Sequence, residues 1–155
     1  MKKLLLFVAF ITVIQTLATA QSAKSVYAEL GGPGLASFNF DTRFSGKEDG
    51  IGGRIGFGGL AIDGSGVLFI PIGINYLLGK DQKNYFELGA GVTPVFATGD
   101  ITSNGNFNTT FGHLLIGYRL QPKEGGFTFR AFINPVFGQG TFIPYYGGVS
   151  FGYKF

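Results

Sequence analysis

From position 24 to the C-terminus, apolar residues recur at alternate positions, and no ten-residue stretch carries the i, i+3, i+4, i+7 stripe of an amphipathic helix. The pattern predicts an all-β protein. Clusters of Gly, Pro, Asn and Asp divide the alternation into eight candidate strands over 24–31, 35–45, 51–62, 67–79, 84–98, 107–121, 126–137 and 145–155. Every break is short enough for neighbours to pair antiparallel. The first break leaves two readings open, a hairpin turn at 31–34 or a bulge inside one long strand, and an even strand number favours the hairpin.

Each segment has one greasy face and one face of small or polar residues. At the C-terminus, Tyr145, Gly147, Val149, Phe151, Tyr153 and Phe155 alternate with Tyr146, Gly148, Ser150, Gly152 and Lys154. The same holds for Phe38, Phe40 and Phe44 against Asn39, Asp41 and Arg43, and for Leu114, Ile116, Tyr118 and Leu120 against His113, Gly117 and Arg119. With the phases set by the apolar residues alone, Glu29, Asp41, Arg43, Arg54, Glu87, Arg119, Arg130 and Lys154 all fall on the polar parity. A face that admits no charge suits hydrocarbon, where an Arg or Lys at mid-depth costs about 2–4 kcal/mol.

The first residues are of another kind. Lys2 and Lys3 precede an apolar run over 4–14, and Ala18-Thr19-Ala20 is a small-x-small cleavage signal before Gln21. This predicts a signal peptide over 1–20 and a single domain over 21–155, because the apolar run is shorter than the roughly 20 residues of a membrane-spanning helix. Removing Lys2 and Lys3 from the 12 basic residues leaves 10 against 9 acidic ones, and no basic patch points to nucleic acid. The absence of Cys excludes a lipid-bearing cysteine, a disulfide framework and a thiolate metal site. The 27 Gly, 18 Phe and 7 Tyr suit closely packed β-structure.

An export signal, strands with a charge-free face and polar faces rich in Gly together predict an eight-stranded antiparallel up-and-down transmembrane β-barrel with short connections, placed in the outer membrane. Its lumen would be filled by a network in which Glu29, Asp41 and Glu87 pair with Arg43, Arg54, Arg119 and Arg130. With the C-terminus on the inner side, Phe44, Tyr76, Phe86, Tyr118 and Phe127, with Tyr153 and Phe155, would point outward near one rim as an aromatic girdle.

The ending Phe151-Gly152-Tyr153-Lys154-Phe155, after a signal peptide and alternating strands, resembles small outer-membrane β-barrel proteins of the OmpA transmembrane-domain and OmpX type. The resemblance implies that Phe151, Tyr153 and Phe155 form an assembly signal read by the barrel-assembly machinery. It covers 24–155 as architecture. Such barrels usually carry long outer loops, whereas the longest candidates here, 99–106 and 138–144, are short, which argues against an adhesin-like role.

Groups for chemistry are few. His113, the only histidine, lies on the inward parity beside Phe111 and Leu115, without a Ser at the H-x-S spacing of lipid A deacylases; a protease-like pair with Asp100 has no fixed geometry. The glycine-rich 52–56 opens no helix and is no phosphate loop. Glu48-Asp49 and Asn104-Gly105-Asn106 read as solvated turns. The expectation is a monomeric, non-enzymatic membrane barrel of structural or surface-contact role, contacting membrane lipid and needing no cofactor or metal. The alternatives are a soluble calycin-like barrel with its greasy faces inward around a small apolar ligand, and a barrel enzyme centred on His113.

Overall fold

The computed structural model describes residues 22–62, 65–98 and 106–155. The expected signal peptide over 1–20, the turn at Asp63-Gly64, Asp100 and the Asn104-Gly105 turn lie outside them.

Eight antiparallel strands form a closed barrel. In chain order they are β1 (Lys24–Gly31), β2 (Ala36–Arg43), β3 (Gly50–Ile62), β4 (Ser65–Phe69 continuing as Ile72–Leu78), β5 (Asn84–Thr98), β6 (Asn106–Leu120), β7 (Gly126–Ile133 continuing as Val136–Gly138) and β8 (Thr141–Ile143 continuing as Gly147–Lys154). Each strand pairs with the next, as in Asp41 opposite Arg54 and Phe86 opposite Tyr118. Closure comes from β8 against β1, with Phe151 opposite Ala28.

Three of the strands are interrupted beside Pro71, Pro135 and Pro144, because a proline has no N–H to give to a ladder. The ladder continues through the first two breaks by their carbonyls: Gly56 donates to Pro71 at 2.9 Å and Leu114 to Pro135 at 2.9 Å. The break at 31–34 is a hairpin. Gly32–Gly34 forms a single 3-10 turn, and Leu30 pairs with Ala36 across it. Gly31 at φ 76° and Gly32 at φ 69° adopt the left-handed backbone that this inward-folded turn requires.

One expected connection is corrected. The stretch 138–144 is a two-residue turn at Gln139-Gly140, with Thr141 paired to Gly138 and Ile143 to Val136. Both turn residues have positive φ, 48° and 79°, the geometry that matches the twist of a tight hairpin. The sequence obscures it because Gln is not a residue that announces such a turn.

The outward faces carry the large apolar side chains and the inward faces the charged ones. Phe38 and Phe57 are each 63 % exposed, whereas Asp41 is 0 % and Arg119 1 % exposed. The start of β1 and the end of β8 lie at one rim, where Phe155 donates its amide to Lys24 at 3.0 Å.

Candidate functional site

Alternation aims the polar residue of every second position at the barrel axis, so side chains far apart in sequence converge there. Asp41 on β2 is the hub. Its Oδ1 accepts from Arg43 at 2.8 Å and from Arg119 on β6 at 2.9 Å, while its Oδ2 lies 3.2 Å from Arg130 on β7. Glu87 on β5 pairs with the same two distant arginines, Arg119 and Arg130, each at 3.4 Å. Asn75 on β4 joins the carboxylates, its amide donating to Asp41 at 2.6 Å and to Glu87 at 2.8 Å while its oxygen accepts from Arg43. Ser25 accepts from Arg119 at 3.1 Å.

Glu29 forms a separate pair with Arg54 at 2.9 Å, and Arg54 also donates to Asn39 at 3.1 Å. The Tyr27 ring stands between the two groups, with the Arg130 guanidinium 4.0 Å and the Arg54 guanidinium 5.8 Å from its centroid. At those distances each cation is attracted to the ring face. The structure thus brings together Asp41, Glu87, Arg43, Arg119 and Arg130, and sets Glu29 with Arg54 beside them.

Inward glycines make room for these long side chains. A Cβ on Gly52 would run into the Arg43 guanidinium, and one on Gly117 would meet the Phe132 Cβ at 2.5 Å. Tyr27, Asn75, Asn39 and Ser25 are members that charge reading passes over. Their only sequence signal is that they share parity with Glu29, Asp41 and the arginines.

The turn at Glu48-Asp49 is corrected. Glu48 is partly buried, paired with Lys154 at 2.6 Å and within 3.4 Å of the Gln121 amide, so it closes the end of the barrel near the C-terminus instead of standing free in solvent. His113 is buried, only 2 % exposed, its Nδ1 3.2 Å from the Thr93 hydroxyl and its ring edge-on to Phe111 at 6.4 Å. Its side-chain partner is a hydroxyl, and among the described residues no three His, Asp or Glu side chains are grouped to hold a metal ion.

On the outer wall Phe44, Tyr76, Phe86, Tyr118, Phe127, Tyr153 and Phe155 are all exposed toward the rim that holds the C-terminus. Tyr118 donates to Asn84 there, and Tyr153 is paired with Phe127. Phe151 packs against Phe129 at 5.4 Å and Phe127 at 6.4 Å. The opposite half carries its own exposed aromatics, Phe38, Phe57, Phe96, Phe137, Phe142 and Tyr145, a second belt that the sequence reading did not single out.

A closed eight-stranded barrel with polar and charged residues inside and aromatics outside invites comparison with known structures. The N-terminal β-barrel domain of OprF from Pseudomonas aeruginosa superposes with a TM-score of 0.63 at 13% sequence identity, covering 86% of this chain and 96% of that one. The outer membrane protein Ail of Yersinia pestis, in a phospholipid bilayer nanodisc, gives 0.51 at 12% identity, covering 86% and 99%. The chain has the fold of small outer-membrane β-barrels. No protein-family model and no curated protein matches its sequence.

That likeness is one of fold, and the direction of the side chains is the chain's own. The calycin-like alternative required the greasy faces inside and Arg54, Glu87 and Arg130 outside; the structure has Ile55, Leu88 and Phe129 on the outward face and those three charges inside, only 4, 1 and 2 % exposed.

Proposed function

We propose that this protein is a structural element of an outer membrane, a narrow barrel whose wall faces lipid and whose lumen is plugged by salt bridges. The observation that carries this reading is the inverted distribution of polarity. A soluble protein of this size does not leave Phe38, Phe57, Ile74, Phe127 and Phe155 more than half exposed while burying four arginines.

The height of the apolar wall agrees. On β5 the outward residues run from Phe86 to Phe96, about 34 Å along the strand and about 26 Å in height at the usual tilt of about 40°. That matches the apolar band of about 25 Å of known membrane barrels. The belts at the two rims then occupy the two interfaces, and the alternating Phe151, Tyr153 and Phe155 are the segment offered to the assembly machinery.

The plugged lumen supports a role without transport, and among the described residues the connection at Gln139-Gly140, a two-residue turn, gives little surface for adhesion. A catalytic reading finds no support at His113, whose hydrogen-bond partner is Thr93. Heat-modifiable gel migration together with retention in carbonate-washed membranes is expected; recovery as a monomer in a detergent-free soluble fraction would overturn the proposal.

A further inference from the structure

The interior charges do not balance. Among the described residues, four guanidiniums, Arg43, Arg54, Arg119 and Arg130, are each at least 96 % buried, and they face three carboxylates, Glu29, Asp41 and Glu87, that are 99 % buried or more. The remaining interior pair, Lys154 with Glu48, is neutral by itself. Arg54 with Glu29 is balanced one to one, so the excess lies in the cluster where Arg43, Arg119 and Arg130 share Asp41 and Glu87.

The hydrogen bonds show the same deficit. Arg43 Nε, Arg119 Nε and both terminal nitrogens of Arg130 are buried without a hydrogen-bond acceptor of good geometry among the described residues, as are Nε and one terminal nitrogen of Arg54, against a single unpaired carboxylate oxygen, Glu29 Oε2. The Tyr27 ring face attracts Arg130 and Arg54 but brings no net charge. An unneutralised charge in a narrow lumen is among the most unfavourable arrangements a fold can hold, and charge-assisted bonds to an anion remove both deficits together.

We propose that the barrel interior binds one small monovalent anion of halide size, held by the guanidinium N–H groups of Arg43, Arg119 and Arg130 beside Asp41 and Glu87. The site depends on the interior alone, whatever surrounds the wall. A larger or doubly charged anion is disfavoured, because a single excess charge and flanking carboxylates would reject it.

The test is thermal unfolding of the folded full-length barrel in sodium chloride against sodium gluconate at equal ionic strength, so that general screening cancels. The expected result is a midpoint that rises with chloride and saturates, as for a ligand that binds only the folded state, and that exceeds the gluconate midpoint by several degrees. Two variants remove the excess by opposite routes. Arg43→Gln deletes a cation, and Ser25→Asp sets a carboxylate where Ser25 now accepts from Arg119. Each is expected to flatten the chloride dependence, whatever it does to the midpoint itself. Equal midpoints in the two salts for the unmodified chain would overturn the proposal, as would a chloride effect of undiminished size in the variants that fold.

Discussion

At the scale of single residues, Asp41 is the group on which the interior turns, because it pairs with three arginines that come from β2, β6 and β7. Asp41→Asn leaves those cations short of a counter-charge, and a loss of about 3–5 kcal/mol is expected in urea unfolding from vesicles. Glu87→Gln acts on the same two distant arginines, and each carboxylate partly covers for the loss of the other, so the double variant is expected to lose more than the sum of the two. Tyr27 separates packing from polarity. Its hydroxyl has no hydrogen-bond partner among the described residues, so Tyr27→Phe is expected to be nearly neutral, whereas Tyr27→Leu gives up the ring face under Arg130 and loses about 1–2 kcal/mol. Asp81, in the exposed turn over 79–83, is held below the usual carboxylate range by the Asn84 side-chain amide, then by the backbone amides of Asn84 and Lys83. A lowered folded-state value means that this contribution is fully present above the ordinary carboxylate pKa and is lost as pH falls through the lowered one. Asp81→Ala should therefore weaken amide-exchange protection of Lys83 and Asn84 at neutral pH and leave it unchanged once the carboxyl is protonated.

Individual strands were legible because a sheet with two different solvents writes its period into every segment. Phe86, Leu88, Ala90 and Val92 against Glu87, Gly89 and Gly91 mark β5 without ambiguity, and the same parity identified which ionisable residues share the axis. What parity does not contain is pairing across the lumen. That Glu29 meets Arg54 while Asp41 collects three arginines depends on strand stagger, which no single segment records. The reach of β8 was hidden for a different reason. Pro144 reads as the boundary of a strand beginning at 145, yet the ladder also runs on its other side as Thr141–Ile143, whereas the alternation over 126–137 already carries β7 past Pro135 into Val136–Gly138. Glu48 was misread because composition makes a Glu-Asp pair look like a turn in water, and Lys154, its partner, is more than a hundred residues away. The outward face of a strand and the turn beside it should also respond unequally to one substitution. Leu88→Arg, on the outward face of β5, is expected to lower stability in vesicles by about 2–4 kcal/mol, and the same change at exposed Gln82 in the turn by well under 1 kcal/mol.

At the scale of the molecule, the barrel is an inside-out protein: its tightest polar contacts are central and its apolar surface is peripheral. A lumen crossed by Asp41, Glu87 and three guanidiniums should pass no steady ionic current in planar bilayers, and a stable channel seen with the unmodified chain would contradict the plug. The chain has no cysteine, so single cysteines carry a nitroxide label to chosen points of the wall. Labels at Ile74→Cys, Leu88→Cys and Ile116→Cys on the reconstituted barrel test most directly what solvent the wall meets, by comparing collision with molecular oxygen, which concentrates in hydrocarbon, and with a water-soluble nickel complex. The account predicts high oxygen and low nickel accessibility at all three positions; strong nickel accessibility there would show the wall to be in water and would contradict it.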